Sequence, residues 1–90
     1  MYVWVFEGDS LPERRSHHPS AVFSSFENAK DYIGKYRLSG MLTRYTLDKA
    51  AFDVSVERGT VPAHQRDGAL RQVWAGGEVH YHAANGRVLE

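Results

Sequence analysis

Ninety residues without an internal repeat read as one domain spanning 1–90, near the lower size at which a single hydrophobic core suffices, so a deep enclosed active site is hard to build. Eleven Lys plus Arg balance eleven Asp plus Glu, and no global field draws in nucleic acid or an anionic membrane. Cysteine is absent, which excludes disulfides, thiolate zinc sites and cysteine nucleophiles and is compatible with a reducing compartment.

The opening "YVWVF", residues 2–6, is β-branched and aromatic on both faces and stops at the turn-forming Gly8-Asp9-Ser10, which predicts an interior strand. It is far shorter than the ~20 residues a membrane-spanning helix needs and has no basic leader before it, so the expected location is the cytoplasm. Residues 11–20, "LPERRSHHPS", hold two prolines, mixed charges and two adjacent histidines without a period, and read as an exposed loop. A short strand at residues 21–23 leads into "SSFE". Ser24 is the expected N-cap of a helix over residues 25–36, with Glu27 reciprocating in a capping box. Phe26, Ala29, Ile33 and Tyr36 form its apolar stripe, and Gly40 is the expected left-handed exit.

"MLTRYTL", residues 41–47, alternates so that Met41, Thr43, Tyr45 and Leu47 share one face of a strand and Leu42, Arg44 and Thr46 the other. Asp48 is the expected cap of a second helix, "KAAFDVSVER", with Leu47 and Phe52 as a hydrophobic staple and Gly59 past its end. After a loop, "ALRQVWA" and "EVHYHA" flank Gly76-Gly77, a connection suited to a two-residue hairpin, and Asn85-Gly86 forms another tight turn. The elements add up to an α+β fold: one antiparallel sheet of five or six strands, one main helix packed on a face, a second short helix and a C-terminal β-meander.

The hairpin through Gly76-Gly77 would put Trp74 opposite Val79 and Arg71 opposite His82. Leu70, Trp74, Val79 and Tyr81 then share the core face, and Arg71, Glu78, His80 and His82 the polar one. Residues two apart on a strand point the same way, so His80 and His82 are a candidate metal pair, for Zn or Ni, with Glu78 or His64 completing the set. Against this, Arg71 beside His82 would hold a permanent cation where a divalent ion must sit.

Other chemistry is less legible. None of the serines stands in a Gly-x-Ser-x-Gly elbow, and "WAGGEV" joins two strands, so it lacks the helix N-terminus a phosphate cradle uses. Arg14 and Arg15 form a compact basic pair, with Trp4, Tyr45 or Trp74 as possible stacking surfaces for a weak nucleic-acid binder, but Glu13 offsets one charge and core packing explains the aromatics.

Three stretches, "VWVFEG", "VFSSFENAKDYIGKYRLSGMLTRYTLDKAAFDVSVERG" and "EVHYHAANG", resemble a family of short bacterial proteins of unknown function. That family opens on a Val-Trp-Val-Phe-x-Gly strand and carries a Leu-(Ser/Thr)-Gly-x-Leu-Thr-x-Tyr segment and a His-Tyr-His, matched here by His80-Tyr81-His82. The resemblance leaves out residues 11–20 and 63–68. Its usual Tyr-Pro-Leu-Asp stands here as Tyr45-Thr46-Leu47-Asp48, and its Tyr-Asp-Trp as Phe52-Asp53-Val54. The resemblance implies a compact α+β fold and bacterial origin, and carries no activity.

With no catalytic constellation in view, the sequence is best read as a non-enzymatic protein-interaction module, such as an immunity-type inhibitor or regulatory binder. Expected contact residues are Arg14, Arg15, His17 and His18 on the long loop and Arg71, Glu78, His80 and His82 on the polar hairpin face. An open edge of the meander would also permit a homodimer by strand pairing.

Overall fold

The computed structural model describes residues 1–10, 18–62, 68–72, 74 and 79–90. Five strands form one antiparallel sheet: β1 (Tyr2–Gly8), β2 (Ala21–Phe23), β3 (Gly40–Thr46), β4 (Val79–Ala84) and β5 (Arg87–Leu89), in the order β2-β1-β3-β4-β5. Two helices, α1 (Phe26–Tyr36) and α2 (Ala51–Glu57), and a 3-10 helix (Gly68–Gln72) complete the described elements. The α+β architecture and the C-terminal run of adjacent antiparallel strands are those the sequence predicts. β1 is paired on both sides, as its two-sided apolar character requires.

Register sorts every strand residue onto one of two faces. Trp4 and Phe6 of β1 stand level with Phe23 and Ala21 of β2 and with Arg44 and Leu42 of β3. Leu42 is opposite Tyr81, and Ala83 of β4 is opposite Val88 of β5. This face receives α1, whose Ala29 and Ile33 join Phe6, Leu42 and Ala83 as the buried core, with Trp4, Phe23, Phe26 and Val88 packed around them. Trp4, Phe26 and Tyr81 meet pairwise with ring centroids 5.0 to 6.0 Å apart, tying helix, β1 and β4 together.

The helix termini differ in detail from the sequence reading. Ser25, not Ser24, is the N-cap of α1, and its side chain accepts a hydrogen bond from the Asn28 backbone N–H at 3.1 Å. Two serines in tandem both fit the pattern, and the one in extended conformation at the true helix start takes the role. At the other end Arg37 is left-handed at φ 53; its N–H donates to Gly34 O and the Leu38 N–H donates to Ile33 O, a Schellman closure that turns Leu38 into the core. The exit therefore lies three residues before Gly40. The last residue of the predicted stripe, Tyr36, is 54% exposed and stacks on Tyr32 instead of entering the core.

Gly40 has a different purpose. It pairs with Gly8 at the end of the β1–β3 ladder with φ 156, and a Cβ there would stand 2.3 Å from Glu7 O. Only glycine allows this approach. The Asn85-Gly86 turn, with φ 50 and 88, joins β4 to β5 as predicted and docks on the end of α1: the Gly86 N–H donates to Leu38 O, and the Asn85 N–H to Ser39 Oγ.

α2 begins at Ala51 without a side-chain cap. Asp48 is itself left-handed, at φ 61 in the preceding turn, so its carboxylate does not occupy the capping position, and Leu47 is exposed while Phe52 is buried, so the staple is not made. Gly59 follows the helix end as expected. Phe52 and Val61 seed a second, smaller cluster: Trp74 meets Phe52 edge-on at 5.8 Å and donates from its indole to Ser55 Oγ at 3.1 Å.

This cluster accounts for the largest departure from the sequence reading. The segment expected as a strand carrying Leu70 and Trp74 is a 3-10 helix over Gly68–Gln72 that lies beside α2, with Trp74 just beyond it. β4 pairs with β3 and β5. The predicted oppositions Trp74–Val79 and Arg71–His82 are therefore not formed; Arg44 stands opposite Val79, and Met41 and Leu89 flank His82. The Gly76-Gly77 turn lies outside the described residues.

Candidate functional site

The helices cover one side of the sheet. α1 packs on the Phe6, Leu42 and Ala83 face, and a cleft of about 420 Å³ between α2 and the sheet is lined by Tyr2, Arg44 and Thr46, which belong to the same face. The opposite face carries Val3, Val5 and Glu7 from β1, Val22 from β2, Met41, Thr43 and Tyr45 from β3, His80 and His82 from β4, and Leu89 from β5. Among the described residues no helix lies on it, and Val22 is 64%, Leu89 55% and Met41 38% exposed. Val3, Val5, Thr43 and Tyr45 are half-buried. The surface is an apolar field with a polar row along β4.

His80 and His82 are exposed there, as the alternation of β4 predicts, with Val79 and Tyr81 turned to the core side. Their rings stand perpendicular with centroids 5.5 Å apart. Thr43 is the cross-strand partner of His80, and Met41 that of His82. Arg71 is elsewhere: it lies in the 3-10 helix, pairs with Asp53 of α2 and rests over the Phe52 ring at 5.0 Å. The cation expected to compete with a metal beside His82 is thus engaged in the α2 cluster. His18 is exposed in the irregular stretch that leads into β2. Arg14, Arg15, His17, His64 and Glu78 lie outside the described residues, and no group of three His, Cys, Asp or Glu suited to a metal occurs among the described ones.

Among the described residues, the clefts on the helix side hold no paired carboxylates. Glu57, the acidic residue of the α2 cleft, is bonded to Lys49, and Arg44 stacks over the Tyr2 ring at 4.1 Å. In a second cleft, of about 510 Å³ beside β1 and the end of α1, the Ser20 hydroxyl donates to Phe6 O at 3.3 Å and Ser39 Oγ accepts from Asn85. The hydroxyls here hold the chain together. Of the aromatics weighed as stacking surfaces, Trp4 is in the core and Trp74 lies against Phe52, whereas Tyr45 is on the open face.

Sequence reasoning singled out the histidines and weighed Tyr45 as a stacking surface but missed Val3, Val5, Val22, Met41 and Leu89. A signal for them existed. β1 is apolar on both faces, but the only long amphipathic helix has a single stripe, enough to cover one.

Fold and surface together define a one-sided α+β domain, helices on one face of a five-stranded sheet and an exposed apolar and histidine-bearing face on the other. The family model described as Domain of unknown function (DUF7710) matches residues 3–88, and the chain belongs to that family. No curated protein and no solved structure matches it. No helix among the described residues is long and apolar enough to cross a membrane.

Proposed function

We propose that the chain is a non-enzymatic protein-interaction module that meets a protein partner through the open face of its sheet, in the manner of a small inhibitor or regulator of the immunity type. The observation that carries this reading is the uncovered apolar field of Val3, Val5, Val22, Met41, Tyr45 and Leu89. An apolar field crossed by the histidine row of β4, with Glu7 and Arg87 at its margin, has the make-up of a protein contact. Zero net charge supplies no attraction for a polyanion, which favours a protein over nucleic acid. The face is a better docking surface than the edges. Both edge strands, β2 and β5, are three residues long and offer a short ladder to an incoming strand, which argues against a homodimer by strand pairing.

The test is capture from the native host with the wild-type chain, a face variant (Val22→Lys with Leu89→Lys) and a helix-side control (Tyr36→Lys), followed by reconstitution with the purified partner. The reading expects one partner bound by wild type and Tyr36→Lys and lost in the face variant. Retention in the face variant, or a partner lost only in Tyr36→Lys, contradicts it. A dimer of the purified chain that the face variant abolishes would make a second copy the occupant and overturn the choice of a different protein.

A further inference from the structure

We infer that His80, His82 and Met41 form a binding site for a soft monovalent metal ion of the Cu(I) class on the open face of the sheet. The inference is independent of the protein-partner reading. It rests on the β3–β4 register, which places the Met41 thioether directly across from His82, beside the histidine pair. Cross-strand partners hold their Cβ atoms about 4.5–5.5 Å apart, within reach of one ion for side chains as long as Met and His. All three residues are exposed, so an ion has access without rearrangement of the core.

The separation of the two rings fits a shared ion. An ion about 2 Å from a ring nitrogen lies about 3.2 Å from the ring centroid. Two centroids 5.5 Å apart then correspond to an N–metal–N angle of about 120°, once each ring turns about χ2 to aim its nitrogen. That is the angle of a trigonal site, and Met41 is placed to supply its third corner.

The donor set selects the ion. Two imidazoles and a thioether are neutral, and a thioether is a soft ligand that favours Cu(I) and contributes little to Zn(II). Glu7, across β1–β3 from Met41, and Asp9, which lines a cleft with Glu7 and Met41, add negative charge at the margin of the site that favours a cation there. The register therefore replaces the Zn or Ni expectation from the histidines alone with a softer, three-ligand one.

The experiment uses the full chain free of any affinity tag. Cu(I) is titrated anaerobically in competition with bicinchoninate, with Zn(II) titrated in parallel, and Ag(I) is added to protein labelled at its methionine methyls. The chain has two methionines, Met1 and Met41, so the methyl signals are assignable. Expected are one Cu(I) per chain, at least tenfold weaker binding in Met41→Leu, His80→Ala and His82→Ala, weak Zn(II) binding insensitive to Met41→Leu, and an Ag(I) shift at Met41 but not Met1. Met41→Leu keeps the side-chain volume, and its melting curve verifies the fold. Unchanged Cu(I) affinity in Met41→Leu, a shift confined to Met1, or failure to take Cu(I) from bicinchoninate would overturn the site.

Discussion

Gly40→Ala puts the packing account at most risk, because its cross-strand partner Gly8 supplies the control. Gly40 and Gly8 face each other at the end of the β1–β3 ladder, but only Gly40 has a positive φ, at 156, and only its Cβ would collide with backbone, at 2.3 Å from Glu7 O and 2.8 Å from Gly8 Cα. Backbone atoms cannot rotate aside, so β1 and β3 must part. Holding a non-glycine residue in that conformation costs about 1–3 kcal/mol, and relieving the overlap costs about as much again. The sum, about 2–6 kcal/mol, is a large share of the roughly 5–13 kcal/mol expected for a domain of this length. At about 4–8 °C per kcal/mol, Tm should fall by at least about 8 °C. A Cβ on Gly8 would meet the Phe6 ring at 3.5 Å, an ordinary contact, and Gly8→Ala should cost under about 1 kcal/mol. Thermal and urea unfolding followed by circular dichroism measures both. Equal Tm values for the two variants, or a Gly40→Ala melt within a few degrees of wild type, would refute the reasoning.

Three further outcomes follow from the same structure. Ser25→Ala should destabilise by about 1 kcal/mol by removing the α1 cap, whereas Ser24→Ala should change urea stability by under about 0.5 kcal/mol; the reverse order would restore Ser24 as the cap. Ile33 is fully buried between α1 and the sheet, so Ile33→Ala should cost about 2–5 kcal/mol in the same assay, and a loss under 1 kcal/mol would mean that the core is not where it is described. The hydrogen bond and charge of Glu90 raise the pKa of Lys30, and Glu90→Gln should lower it again in an NMR titration. Because the folded pKa is the raised one, the pair's contribution is present below the ordinary lysine range and fades as pH climbs through the folded value; the stabilities of wild type and variant should therefore differ below that range and converge on the alkaline side.

The parts of the fold that local pattern determines were legible. The alternation of β3 and β4, the stripe of α1 through Ala29 and Ile33 and the Asn85-Gly86 turn each depend on residues close in sequence. What was not legible depended on competition between distant segments. "ALRQVWA" fits a strand by its spacing, but Arg71 is drawn to Asp53 and Trp74 to Phe52 and Ser55 of α2, and β4 finds β3 across the intervening helix. The candidate site inherits that outcome. The histidines and their exposed face followed from β4 alone, while Met41 became their neighbour, and Arg71 ceased to be, only through a pairing between residues some forty positions apart. Asp48 illustrates a smaller ambiguity: aspartate suits both a helix cap and a left-handed turn, and the chain uses it for the turn.

The central claim is that the sheet face opposite the helices is the surface through which this protein acts. Labelling with diethylpyrocarbonate, read residue by residue by mass spectrometry, tests it in the free chain and in the complex with the reconstituted partner, both free of metal. His80 and His82 should be modified readily in the free chain and protected in the complex, while His18, which belongs to none of the strands, keeps its reactivity. Equal labelling of His80 and His82 in both states would show that the partner sits elsewhere and contradict the account.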